Sequence, residues 1–191
     1  MAEIAIIYHS GYGHTKKVAE HVAKGAATAG GAEVKLFAVE ELADSLSPLK
    51  SADAMIFGSP TYMGGVSAPF KAFMDATSNL WMQRRWKDKI AAGFTNSGSL
   101  SGDKLAVLQH LAIFAAQHGM IWVGQSEMPT LTMEPGQPSH VNRVGGFLGL
   151  MAQSNNAPAD QTPPEGDLKT AEMFGKRVAQ ATLRWLAGKS G

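Results

Sequence analysis

The sequence contains no cysteine, which excludes disulfide bonds, thiolate-bound metals and thiol nucleophiles. Neither sign of charge dominates, because 17 Lys and Arg balance 16 Asp and Glu for a formal net charge of +1. No strong field therefore attracts nucleic acid or a membrane surface. The sequence also has no apolar run long enough to span a membrane, and Glu3 before the first apolar run argues against a signal peptide. These absences favour a soluble, cytoplasmic protein.

Strands and helices alternate along the 191 residues, of which 45% are hydrophobic. Strands are predicted at residues 4–8, 33–39, 52–58, 90–94 and 120–123, and the last helix at residues 168–186. This alternation is typical of α/β proteins, in which right-handed crossovers make the sheet parallel. We therefore predict a single domain, residues 1–191, with a doubly wound, five-stranded parallel sheet of order 2-1-3-4-5.

The first strand leads directly into a polar, glycine-containing loop at residues 10–15 and then into a helix. The loop is not a P-loop, because no Gly-Lys-Ser/Thr follows, and it is not a dinucleotide fingerprint, because Lys16 replaces the third glycine. Its hydroxyl groups and the N-terminus of the helix suit a terminal monophosphate. An ordinary turn capped by Ser10 is the alternative interpretation.

Polar loops also follow the third and fourth predicted strands, at residues 59–65 and 95–103. In a parallel sheet these loops meet the first one at the carboxyl edge, where α/β proteins bind their ligands. Tyr62, Met63 and Trp81 offer apolar walls, and the glycines allow close approach to a planar ring. A phosphate site beside a site for a planar, hydrogen-bonding ring describes flavin mononucleotide (FMN). Backbone amides and a helix dipole can bind the phosphate of FMN without Lys or Arg.

These segments resemble the flavodoxin-like quinone reductases of the WrbA type, the type IV NAD(P)H:quinone oxidoreductases. The resemblance rests on YHSGYGHT at residues 8–15, GSPTYMG at residues 58–64 with the helix through residue 81, the loop at residues 94–102, and AQHGMIWV at residues 116–123. It implies a flavodoxin-like fold with FMN as the cofactor and NADH or NADPH as the electron donor. It also implies a quinone or similar small molecule as the acceptor of two electrons.

The resemblance implies three groups of cofactor-binding residues. The phosphate would be held by Ser10, Gly11, Tyr12, Gly13, His14 and Thr15. The flavin ring would be edged by Pro60, Thr61, Tyr62, Met63 and Gly64, and its pyrimidine side wrapped by Asn96, Ser97, Gly98, Ser99, Leu100, Ser101 and Gly102. His118 matches the family's active-site histidine, Trp81 the tryptophan on which the quinone stacks, and Tyr12 a tyrosine that also touches the nicotinamide nucleotide.

Two features depart from the family's pattern. Tyr62 and Met63 stand where the family usually has Arg-Phe, so the charge and the stacking surface over the flavin differ. Leu100 is an insertion in a loop that is less rich in glycine than its counterparts. His118 has a second interpretation, since a histidine at a helix end often interacts with the helix dipole. The remaining histidines show no metal-ligand spacing with carboxylates, so no metal is expected.

Residues 124–166 form a long insertion before the last helix and hold six of the nine prolines. A loop of this length is usually functional or disordered. Because members of the resembled family are commonly tetramers, a homo-oligomer (dimer or tetramer) is expected, with this insertion at the interface and its Arg143 and His140 lining a neighbour's site. Arg84, Arg85 and Arg143 are equal candidates for holding a nucleotide phosphate. A surface excursion without a role is the alternative.

Two other functions suit the same fold. A flavodoxin-type electron carrier would dock on partner proteins, but such carriers are typically strongly acidic, unlike this chain. A non-catalytic interaction protein that kept the fold would have no affinity for FMN. The expectation is therefore an FMN-dependent NAD(P)H:quinone oxidoreductase, without nucleic-acid partners or membrane insertion.

Overall fold

The computed structural model describes residues 1–130 and 137–188, which form a sheet with helices on both faces. The strands are β1 (Ala2–Tyr8), β2 (Ala32–Ala38), β3 (Ala54–Tyr62), β4 (Gly65–Val66), β5 (Ile90–Ser97), β6 (Ile121–Trp122) and β7 (Leu150–Gln153). The α-helices are α1 (His14–Ala27), α2 (Ala68–Ala76), α3 (Ser78–Met82), α4 (Lys104–Gln117) and α5 (Glu165–Gly188). Two 3₁₀ turns, Val39–Leu42 and Ser47–Leu49, connect β2 to β3.

The strand order is β2-β1-β3-β5-β6, with all of these strands parallel. This order confirms the predicted flavodoxin-like 2-1-3-4-5 sheet, because β4 is only a two-residue strand antiparallel to the end of β3. The fifth position is shared by two strands: β6 pairs with the start of β5 (Ile90 with Ile121) and β7 with its end (Phe94 with Leu150). The predicted insertion therefore contributes a strand to the sheet, and its residues 131–136 lie outside the described part.

Two hydrophobic cores lie on opposite faces of the sheet. Successive residues of β1 alternate between them, with Ile4 and Ile6 in one core and Ala5 and Ile7 in the other. The first core also contains the buried stripes of α1 and α5, and the second contains those of α2 and α4. β1 is therefore buried on both faces, as its apolar run predicts.

The helices α1 and α5 approach each other closely enough to require glycine. A Cβ atom at Gly25 would lie 1.8 Å from the carbonyl oxygen of Glu172, and one at Gly175 would lie 2.0 Å from that of Val22. The two helix backbones are therefore in direct contact. In the described residues, no helix is both long enough and apolar enough to cross a membrane.

Candidate functional site

A cavity of about 540 Å³ lies at the carboxyl ends of β1, β3 and β5, where the sheet predicts a ligand site. Its volume falls within the range typical of small-molecule sites. The three predicted loops meet there and contribute Ser10, Tyr12, His14, Thr15, Pro60, Thr61, Tyr62, Asn96, Ser97 and Gly98. Gly11, Gly13, Met63, Gly64, Ser99, Leu100, Ser101 and Gly102 belong to the same loops without lining the cavity.

The first loop presents a hydroxyl group and a helix N-terminus to the cavity. Gly13 adopts a positive φ of 87° immediately before α1, and the backbone N–H of Lys16 donates to Ser10 Oγ at 3.1 Å. The O–H proton of Ser10 donates to no group in the described residues, so it remains available to a ligand. The first turn of α1 contains no acidic side chain. The positive end of the helix dipole is therefore not neutralised there, which suits a phosphate.

The second and third loops begin later than predicted. β3 continues to Tyr62 instead of ending at residue 58, and β5 continues to Ser97 instead of ending at residue 94. Pro60 pairs with Asn96 inside the sheet, and the hydroxyl groups of Thr61 and Thr95 lie 2.8 Å apart. Polar side chains did not end these strands because each strand satisfies the backbone of the other. Met63 and Gly64, both with positive φ, form the two-residue turn between β3 and β4.

Tyr62 bridges the second loop and the first. Its ring packs edge-on against Tyr12 and His9, with both centroid distances at 6.5 Å, and a Cβ atom at Gly11 would lie 2.8 Å from its hydroxyl oxygen. Burial, and then the neighbouring Tyr12, raises the pKa of Tyr62, so its hydroxyl stays protonated at neutral pH. The side chain of Met63 is fully exposed at the turn. Tyr62 therefore forms an aromatic wall of the cavity.

The segment of residues 154–158 forms a fourth wall, which the sequence does not predict. It contains Ser154, Asn155, Asn156, Ala157 and Pro158. Ser154 Oγ donates to Asn96 Oδ1 at 2.9 Å, and His14 Nε2 lies 2.8 Å from the carbonyl oxygen of Ala157. The 154–158 segment thus runs from the third loop to the first. A polar Ser-Asn-Asn run after an apolar stretch was its only signal, and β7 is too short to predict.

The structure does not bring His118 or Trp81 to this cavity within one chain. α4 follows the third loop, and its 14 residues carry the chain about 21 Å back along the strands. His118 Nε2 lies 3.0 Å from Thr77 Oγ1, and the backbone N–H of Trp81 donates to the carbonyl oxygen of Thr77. His118 is 2% exposed and packs on Trp86, whereas Trp81 is 43% exposed. The two residues therefore lie together near the opposite edge of the sheet.

His118 is electrically neutral at physiological pH. Burial, and to a lesser extent the Arg84 guanidinium, lowers its pKa to about 4. Arg143 is not available for a nucleotide phosphate, because its side chain is 5% exposed and donates from Nε to Asp167 Oδ1 at 2.8 Å. Among the described residues, no group of three His, Asp or Glu side chains is placed to hold a metal ion.

Comparisons with known proteins agree with the fold. A family model described as NADPH-dependent FMN reductase matches residues 3–130. Flavodoxin FldP of Pseudomonas aeruginosa is 41% identical over 94% of this chain and 96% of its own. NAD(P)H dehydrogenase (quinone) of Archaeoglobus fulgidus is 36% identical over 94% of this chain and 97% of its own.

Among solved structures, the flavodoxin, WrbA-like protein from Agrobacterium tumefaciens superposes with a TM-score of 0.73 at 40% identity. The match covers 96% of this chain and 99% of that one. The cavity suits FMN on the chain's own geometry, since it offers an unneutralised helix N-terminus and an aromatic wall. The chain therefore belongs to the NADPH-dependent FMN reductase family, in its WrbA-type, flavodoxin-like group, and is an FMN-dependent oxidoreductase with NAD(P)H as the electron donor.

Proposed function

We propose that this protein passes two electrons from NADH or NADPH to a quinone or a similar small acceptor. The observation that carries the proposal is the cavity, in which three polar loops and the 154–158 segment surround a volume suited to a small-molecule ligand. Relatives named NAD(P)H dehydrogenase (quinone), such as the one from Archaeoglobus fulgidus, support the quinone acceptor. The balanced reaction is NAD(P)H + H⁺ + quinone → NAD(P)⁺ + hydroquinone.

The residues of the three loops divide the work of holding FMN. Residues 10–15 bind the phosphate through hydroxyl groups, backbone amides and the N-terminus of α1. Residues 60–62 edge the ring, with Tyr62 as the aromatic wall, and Asn96, Ser97 and Gly98 line its pyrimidine side. Residues 63–64 and 99–102 complete the two loops outside the cavity wall. FMN supplies the hydride chemistry, and the protein binds and orients it and limits the access of water.

His118 and Trp81 act, in this proposal, on the cavity of another subunit. Both lie near the edge of the sheet opposite their own cavity, and they are linked through Thr77. Trp81 is exposed enough to form a stacking surface. His118, which is 2% exposed and has a pKa of about 4, acts as a neutral hydrogen-bonding group linked to Trp81 through Thr77 rather than supplying a proton. The working form is thus a cytoplasmic homo-oligomer, a dimer or tetramer, whose insertion at residues 124–166 contributes to the subunit contacts.

A flavodoxin-type electron carrier is the second candidate, because flavodoxin FldP of Pseudomonas aeruginosa is 41% identical. A carrier that docks on basic partners usually has a strongly acidic surface, which steers the encounter. A formal net charge of +1 does not supply that steering. The charge therefore favours the reductase over the carrier.

An anaerobic titration of the FMN-loaded protein with NADH and then NADPH separates the candidates. The reductase predicts direct loss of the visible flavin absorbance with one of the nucleotides and its recovery on adding benzoquinone. A protein that binds FMN, resists both nucleotides and accumulates a one-electron-reduced flavin with dithionite would be a carrier. Failure to bind FMN would contradict the assignment of all three loops.

A further inference from the structure

Lys104 is a buried lysine directly beneath the loop of residues 97–102. It is the first residue of α4 and has no exposed surface. Its ammonium donates to Ser97 Oγ at 2.6 Å, to the carbonyl oxygen of Leu100 at 3.2 Å, and to that of Ser99. Three acceptors of one loop therefore converge on a single ammonium group, and together they use all three N–H donors of the lysine.

The 97–102 loop is folded around this ammonium. A Cβ atom at Gly102, where φ is +51°, would lie 2.3 Å from Ser97 Oγ and 3.4 Å from Lys104 Nζ. Within the described residues, none of the backbone N–H groups from 98 to 102 donates a hydrogen bond. Two of the loop's carbonyl groups are thus committed to the lysine, while the amide of Gly98, which lines the cavity, stays free to donate to a ligand.

No carboxylate pairs directly with Lys104 in the described parts of the chain. Asp167 of α5 faces it but bonds to Arg143, which also faces it, and Asp103 precedes it on its own helix and is exposed. Burial lowers the pKa of Lys104 to about 8, with Asp167 opposing and Arg143 reinforcing the shift. At pH 7 the lysine is therefore mainly charged, and its field adds to that of the N-terminus of α4.

We propose that Lys104 is a positioning residue for the flavin, which shapes the 97–102 loop and favours the negative charge that the ring gains on two-electron reduction. The proposal rests on the proposed function, in which this loop surrounds the pyrimidine side of FMN. A cationic residue 104 therefore makes the protein bind reduced FMN more tightly relative to oxidised FMN, and a neutral residue 104 reduces this preference. An opposite charge within about 4–6 Å typically shifts a protonation equilibrium by tenfold or more, and Lys104 Nζ lies one hydrogen bond behind Ser97, which lines the cavity.

The test compares Lys104→Gln, which keeps a donor but removes the charge, with Lys104→Arg, which keeps both. Lys176→Gln removes a charge from the exposed face of α5 and serves as the matched control. The affinity for oxidised FMN is measured by quenching of flavin fluorescence, and the midpoint potential by anaerobic reduction against a reference dye. Lys104→Gln should lower the preference for reduced over oxidised FMN by about tenfold, or about 30 mV for a two-electron couple.

The pH dependence distinguishes the charge from a purely structural role. The difference in potential between wild type and Lys104→Gln should be largest below about pH 8 and should shrink as the lysine loses its proton above that pH. A measurement without variants uses the wild-type holoprotein at about pH 8.5, near that pKa. Because a negative ring raises the pKa of Lys104, reduction should take up more protons from an indicator dye than reduction of free FMN does.

The outcomes separate this inference from the proposed function. If the wild-type protein binds FMN and Lys104→Gln changes the affinity but not the midpoint potential, the inference about Lys104 is wrong and the proposed function still stands. Proton uptake equal to that of free FMN would also overturn the inference about Lys104, even if the variants fail to fold. Wild type that does not bind FMN would overturn both. The inference about Lys104 is supported if the midpoint potential is lowered in Lys104→Gln and stays close to the wild-type value in Lys104→Arg and Lys176→Gln.

Discussion

Replacing Asp167 with Asn should destabilise the protein strongly and loosen the cavity. The carboxylate of Asp167 accepts from Arg143 Nε at 2.8 Å and from Arg143 Nη2 at 3.1 Å, and it also accepts the backbone N–H of Gln153 at 2.8 Å. The two charged side chains are 5% and 1% exposed. This bidentate pair therefore joins α5 to the last residue of β7, immediately before the 154–158 segment.

The magnitude follows from the burial of the pair. An amide at position 167 leaves the Arg143 guanidinium buried without a counter-charge, and breaking a buried pair on one side typically costs about 3–5 kcal/mol. For a chain of 191 residues, this loss corresponds to a fall in Tm of about 6–20 °C. Affinity for FMN should also fall severalfold, because the bond to Gln153 fixes the start of the 154–158 segment.

Urea unfolding of the apoprotein, followed by far-ultraviolet circular dichroism, measures the free energy of unfolding. Asp75→Asn is the matched control, because Asp75 pairs with Lys71 on an exposed helix face and should lose less than about 0.5 kcal/mol. The double variant Arg143→Met/Asp167→Leu should recover part of the stability, since it leaves no guanidinium without a counter-charge, although the backbone N–H of Gln153 loses its acceptor. A loss in Asp167→Asn no greater than in Asp75→Asn would refute the reasoning.

Three further predictions concern the helix contact, His118 and the cavity. Gly25→Ala should lower the free energy of unfolding by at least about 2 kcal/mol in urea titrations, because a backbone carbonyl lies 1.8 Å from the added carbon; the control Gly188→Ala has no atom within 4 Å, and equal effects would contradict the contact. Because the pKa of His118 is lowered to about 4, unfolding takes up a proton, and the free energy of unfolding in urea should fall as the pH decreases from about 6.5 towards 4. The fall should be less steep in His118→Asn, and parallel curves of stability against pH for the two proteins would argue against this assignment. The affinity for FMN, measured by flavin fluorescence, should change less than about threefold between about 0.05 and about 0.5 M sodium chloride, because no Lys or Arg of the described residues lines the cavity; a steep salt dependence would indicate a cation at the phosphate.

The sheet order could be predicted from the sequence because its signals are local. The apolar run of β1 and the helical spacing in α1 depend only on neighbouring residues. The ends of β3 and β5 depend on each other, and polar residues such as Thr61 and Thr95 are predicted as loop when either strand is considered alone. β7 has only four residues, and it is a strand because β5 extends beyond β6 and offers a free edge.

The site could be predicted only where a loop directly follows a recognisable strand. That rule places residues 10–15, 60–62 and 96–98 around one cavity. It fails for the 154–158 segment, whose position depends on a pairing with β5 across 58 residues of sequence, between Ser154 and Asn96. It also fails for Lys104, since a lysine at the start of a helix usually lies in solvent, and its burial results from the fold of the preceding loop.

The arrangement of charges around the cavity explains how a nearly neutral chain can hold an anionic cofactor. The walls of the cavity carry hydroxyl, amide and aromatic groups, whereas the buried charges stand behind them. Lys104 holds the third loop, and the pair of Arg143 and Asp167 holds the 154–158 segment. In the proposed complex these charges position neutral donors instead of contacting the phosphate, so binding would depend on preorganised amides and a helix dipole. Such donors need no rearrangement when the charge of the ligand changes, so they would stabilise the reduced flavin without a cost of reorganisation.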